Sequence, residues 1–175
     1  MTYSEFVASR FKSASHTAMD LKLIDGTIAQ MLHAAIGMSG ELVEIELADS
    51  RKNLVEELGD FWFYFRATSD LPAATVPDYI KVSQSEGMML LKRATNDILD
   101  AAKKLAIYRK PLTPELENRL RTAVQDISLN FPILVKYFGL TMEEVEAENV
   151  FKLTKRYPDG YSNQAAQDRA DKGGE

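Results

Sequence analysis

Apolar positions along the chain recur at intervals of three and four, as in Ile28, Met31, Leu32, Ala35 and Ile36, then Leu42, Val43, Ile45 and Leu47. That spacing lays a stripe along one side of an α-helix, whereas a half-buried strand alternates at every second residue. No segment alternates convincingly. A short helix is predicted over residues 2–11, with Thr2 or Ser4 as its cap, followed by a polar loop holding Ser13, Ser15 and His16. A long helix is predicted from Gly26 to Ala48, with Gly37 and Gly40 where a packed neighbour or a ligand would exclude a side chain. The next starts near Ser50, where Ser50 and Asn53 compete as caps, and runs through Trp62 and Tyr64 to about Ser69. Pro72 and Pro77 then break the chain.

From Pro77 and Asp78 a helical pattern extends to about Lys110, with Gly87 as an interruption and Pro111 and Pro114 as the stop. The period resumes from Thr113 to Phe138, kinked or split at Pro132 and closed by Gly139. Thr141 followed by Glu144 forms a capping-box pattern for a last helix ending near Arg156, before a turn at Pro158, Asp159 and Gly160. The tail NQAAQDRADKGGE has no large apolar residue to offset the entropy of ordering it, so it is expected to be disordered or held by a partner. The expected architecture is an all-α helical bundle of five to six helices, one domain over residues 1–162 with a polar tail over 163–175.

A chain of 175 residues is long enough for one substantial core. With 21 basic against 26 acidic residues the net charge is −5, and no Lys/Arg stripe is present to displace counterions from a phosphate backbone. Nucleic acid is therefore not an expected partner. The absence of cysteine excludes disulfide frameworks, thiolate zinc sites and cysteine nucleophiles together. No run approaches the ~20 apolar residues of a membrane span, and the start MTYSEFVASRF lacks an apolar signal core, so no membrane partner and a cytoplasmic location are expected.

Candidate chemistry lies in two acidic pairs, Glu41 with Glu44 in GELVE and Glu57 with Asp60 in EELGD. At i, i+3 spacing the two carboxylates of a pair share one helix face, with Cβ atoms roughly 5–6 Å apart. Core-type residues surround both pairs, including Leu42, Val43 and Ile45 on one side and Leu58, Phe61 and Trp62 on the other, so the acids border a buried seam. Four carboxylates converging on a seam need a cation. Oxygen donors without a nearby His or Cys select Mg²⁺, or Mn²⁺ in its place, over zinc. The plain alternative is a pair of solvated helix faces, since acids recur at this spacing often. A redox di-metal bundle would want Glu-x-x-His pairs, and neither histidine has that spacing.

The text around these acids is more specific than their spacing. GMSGELVE followed by EELGDFWFY resembles the MazG-like nucleotide pyrophosphohydrolases of the all-α NTP pyrophosphatase superfamily, which carry ExxE, a short spacer and ExxD. The ending LTMEEVEAENVFKLTKRYPDGYS is similar to the family's closing helix, with Asn149, Lys152, Leu153, Arg156, Tyr157 and Pro158 in register. The resemblance covers about residues 28–68 and 139–162. It implies Glu41, Glu44, Glu57 and Asp60 as metal ligands, with Glu41 or Glu44 as catalytic base, and Tyr64 as an aromatic the family often keeps.

Phosphate charge left uncovered by metal needs cations, and Asn149, Lys152 and Arg156 form a row on the closing helix, although basic residues at a helix end are favoured anyway. Lys104 and Lys110, with Lys103 and Arg109, are outer candidates that a charged helix end explains equally well. Trp62 and Tyr64 offer stacking faces to the base, with His33 as a further candidate contact, against simpler readings as core aromatics and a core or solvated histidine. The implied reaction is Mg²⁺-dependent cleavage of a (d)NTP to (d)NMP and pyrophosphate, with a purine nucleotide such as (d)GTP as working substrate, in a homodimer or homotetramer. The alternative is a catalytically silent helical interaction or regulatory protein of the same fold. Residues 72–138 depart from the family pattern and read either as a plain insertion or as a worn repeat placing Asp97 and Asp100 near the ExxE positions and Asp126 at that of Asp60.

Overall fold

The structure, a computed structural model, describes Arg10 and residues 12–69 and 83–169. Among these residues there are seven helices and no strand: α1 (Ala14–Lys22), α2 (Gly26–Leu47), α3 (Arg51–Arg66), α4 (Gln84–Ala106), α5 (Pro114–Tyr137), α6 (Met142–Arg156) and α7 (Asn163–Asp168). The all-α expectation holds. No described helix is long and apolar enough to cross a membrane.

Caps set the boundaries. Ser50 prevails over Asn53 because its side chain accepts from the Asn53 backbone N–H, leaving Asn53 inside α3. Thr141 and Glu144 close the expected capping box at α6, and Gly139 takes the left-handed conformation (φ 67°) that ends α5. Pro132 lies inside α5 without splitting it.

Four expectations change. The stretch at Ser13–His16 is the start of α1 rather than a loop, with Ser13 as N-cap and its Oγ 2.6 Å from His16 Nδ1. Helix α4 starts at Gln84 instead of Pro77, because Ser83 and Glu86 form a reciprocal capping box. Part of the polar tail is ordered as α7, which Ser162 caps. Nothing lies within 4 Å of a Cβ built on Gly40, so no neighbour requires that glycine. The predicted helix over 2–11 and the breaks at Pro72 and Pro77 lie outside the described residues.

Helix α2 packs on α3 and on α4, α4 on α5, and α3 on α6. The core between these pairs holds Met38, Leu58, Phe61, Phe65, Leu91, Ile98, Ile127 and Phe131, all essentially inaccessible to solvent. Burying one such side chain contributes about 1.5–3 kcal/mol. Phe131 stacks on Phe61 and Trp62 at 5.1 Å, locking α5 across α3 and fixing the register in which α3 presents its acids to α2.

Candidate active site

Adjacent helices bring three of the four acids together. One carboxylate oxygen each from Glu41 and Glu44 on α2 and Glu57 on α3 lie within 4.8 Å of one another. Glu44 is exposed, Glu41 half-buried and Glu57 buried, so the cluster is open on the Glu44 side. Burial, followed by the negative charges of Asp60, Glu44 and Glu57, raises the Glu41 carboxyl to about 8. Burial likewise raises Glu57, followed by Glu44 and two carboxylates on its own helix. Asn53 Nδ2, one turn earlier, donates to Glu57 Oε1 at 2.5 Å and fixes that side chain.

Glu41 Oε2 is buried and has no hydrogen-bond partner. A carboxylate oxygen removed from water and left unpaired costs free energy that a cation would recover. Three convergent carboxylates with one such orphaned oxygen suit a hard divalent cation, which takes oxygen ligands and keeps waters on its open side.

Asp60 stands apart from that trio. It accepts from Asn149 Nδ2 at 2.8 Å and from Lys152 Nζ, and Lys152 also lies 3.5 Å from Glu56. Lys152 and Asn149 are buried, and a buried ammonium must find a counter-charge, so both turn inward to Asp60. Gly59 permits this contact: a Cβ there would come 2.9 Å from the Asn149 Cβ and hold α6 away.

Tyr64, one turn beyond Asp60, lies against Gly37, where a Cβ would come 2.6 Å from its ring. His33 is exposed and meets that ring edge-on at 5.8 Å. Burial raises the Tyr64 hydroxyl, the charges of Glu41 and Asp60 add to the rise, and Arg156 opposes it. Tyr64 thus borders the acid seam, with His33 at its ring edge and Arg156 near enough for its charge to act on the hydroxyl. Trp62 is core: 5% exposed, stacked on Phe65 and Phe131, with Nε1 donating to Glu146 Oε1 at 2.9 Å.

The outer cations go elsewhere. Lys103 and Lys104 pair with Asp100 at 2.9 and 2.7 Å, Arg109 lies 3.8 Å from Asp20, and Lys110 borders a separate cleft with Lys104 and Arg119. Sequence reasoning took Asn53 only as a cap and passed over Glu56. The usable signal was that Asn53 precedes Glu57 by four residues and therefore shares its face. No family model matches this chain, and no curated protein or solved structure matches it.

Proposed function

We propose that the chain is a Mg²⁺-dependent nucleoside triphosphate pyrophosphohydrolase, cleaving a (d)NTP to (d)NMP and pyrophosphate. The observation that carries this reading is the unpartnered, buried Glu41 oxygen beside Glu44 and Glu57. Glu41, Glu44 and Glu57 would hold the cation, which Mn²⁺ can replace, with Asp60 alongside in the position the resemblance gives it. The cation supplies neutralisation of the polyphosphate and acidification of a water. Asn53 holds Glu57, and Asn149 with Lys152 holds Asp60, so two acids are oriented before substrate arrives. Glu44 faces solvent and is the better placed of the two α2 acids to accept the proton of an attacking water. Arg156, whose charge is felt at Tyr64, meets phosphate at the other side of the seam.

Incubation with each ribo- and deoxyribonucleoside triphosphate and Mg²⁺ should yield monophosphate plus pyrophosphate from at least one. Release of orthophosphate, or no turnover of any, sinks the proposal. Glu57→Gln should lower turnover at least ~100-fold and abolish the Mg²⁺-induced rise in melting temperature while sparing the fold. One observation favours a catalytically silent interaction protein instead: Lys152 already neutralises Asp60. On that reading Mg²⁺ leaves the melting temperature unchanged.

A further inference from the structure

We propose that the cleft where the α2–α3 seam meets α4 and α5 receives the nucleobase, an inference that rests on the hydrolase reading. The cleft has a volume of about 510 Å³, within the range of small-molecule sites. Met31, Ile98, Leu120 and Val124 give it apolar walls from three different helices.

Its place along the seam follows from two contacts. Tyr64 lies against Gly37, and Gln30 Nε2 donates to the Ala67 carbonyl at 2.7 Å, so α2 and α3 run antiparallel in fixed register. Moving along that seam from Glu41 and Asp60, one meets Gly37 and Tyr64, then Gln30 and Ala67 at the cleft. Ala67 is seven residues beyond Asp60, about 10 Å of helix. A nucleotide with its phosphates at the acids and its sugar beside Tyr64 directs its base there.

The charge of the lining points to the same occupant. The ionic side chains at the cleft, Glu117 and Arg121, are paired with each other at 3.0 Å. Both are exposed, and each already has the other as counter-charge. What remains is apolar surface, with the amides of Gln30 and Gln125 at its edge, a combination that suits a flat neutral heterocycle bearing both donors and acceptors.

The test reads binding without catalysis. In protein labelled at the methionine methyls, the Met31 signal, assigned by its loss in Met31→Leu, should move saturably with at least one phosphate-free nucleoside at millimolar concentration. Val124→Trp, which fills the cleft, should abolish that movement and raise KM for the preferred nucleotide at least ~10-fold, with kcat within about twofold. Gln125 is exposed, so Gln125→Ala will fold even if Val124→Trp does not, and it should alter the ranking of nucleosides. The proposal falls if no nucleoside moves Met31, or if the movement and the ranking survive both substitutions. Nucleoside binding without hydrolysis of any triphosphate upholds the cleft and sinks the hydrolase reading instead.

Discussion

In the α4–α5 pair, Asp97 and Asp100 stand one turn apart on α4, as Glu41 and Glu44 do on α2, but α5 answers them with a cation. Arg119 donates through Nε to Asp97 Oδ1 at 2.9 Å and through Nη1 to Asp100 Oδ2 at 2.8 Å, while Lys103 and Lys104 also hold Asp100. The Asp100 carboxyl is accordingly held well below the usual carboxylate range by its bonds to Lys104, Lys103 and Arg119. In the α2–α3 pair no basic side chain enters the trio, and Glu41 is driven the opposite way, to about 8. The sign of the shift therefore separates acids that the chain pairs with its own cations from acids that burial and one another's charge keep from ionising. Asp126, expected to stand in for Asp60, does not join the α4 acids in a metal-sized cluster among the described residues.

The largest expected consequence is opposite behaviour with pH. Folded Glu41 keeps its proton up to about 8, against an ordinary 4.5, so the folded state binds a proton that the unfolded chain releases between those values. Cation-free protein should therefore lose stability as pH rises from about 5 to about 8, by about 3 kcal/mol. Glu57 is raised too and adds to the same slope. Asp100, being lowered, contributes stability that is present above its ordinary 3.8 and is lost only as pH falls below it. Chemical unfolding across this range in the presence of a chelator should show the decline in the wild type and a flatter profile in Glu41→Gln. A slope unchanged in Glu41→Gln would mean that the α2 cluster does not govern it.

Removing the internal cation should have a smaller effect. Arg119→Met keeps the stem and deletes the guanidinium, leaving Asp97 without its partner while Asp100 retains two lysines. These acid side chains are about a quarter exposed, so the loss should be about 2 kcal/mol, below that of a fully buried pair. The readout is the urea midpoint at unchanged slope. A loss under ~0.5 kcal/mol would reduce Arg119 to an ordinary surface ion pair and remove the contrast between the two clusters.

Much of this was legible because it is local. Ser50, Thr141 and Gly139 each act within four residues of themselves, so caps and stops could be read directly, as could the shared face of Glu41 and Glu44. The start of α4 was misread because Pro77 and Asp78 offered a louder signal than Ser83 with Glu86, an equally local capping box. What the chain's text does not encode locally is which face of one helix meets another. Nothing near Lys152 announces that it turns inward to Asp60, 92 residues away. Equally, nothing links Arg119 to Asp97 until α4 and α5 are packed. Trp62 is the reverse case: its aromatic stripe spacing already favoured the core, where it lies.

The smallest effects concern glycine, and they sharpen the same contrast. Besides Gly26 at its first helical position, the α2–α3 pair carries Gly37, Gly40 and Gly59 in its helix interiors, whereas the α4–α5 pair carries Gly87 alone. Each interior helical glycine lowers the intrinsic stability of its helix by about 1 kcal/mol relative to alanine. At Gly40 the space is open, and at Gly87 a Cβ would meet Leu134 at an ordinary 3.9 Å, so Gly40→Ala and Gly87→Ala should each stabilise by about 0.5–1 kcal/mol. Gly37→Ala places a methyl 2.6 Å from the half-buried Tyr64 ring, so displacing that ring should cancel the gain. Thermal unfolding of the three variants should thus rank Gly37→Ala below the other two. Equal stabilisation at all three would mean that Tyr64 yields freely, and the first pair would then have no close contact that its glycines protect.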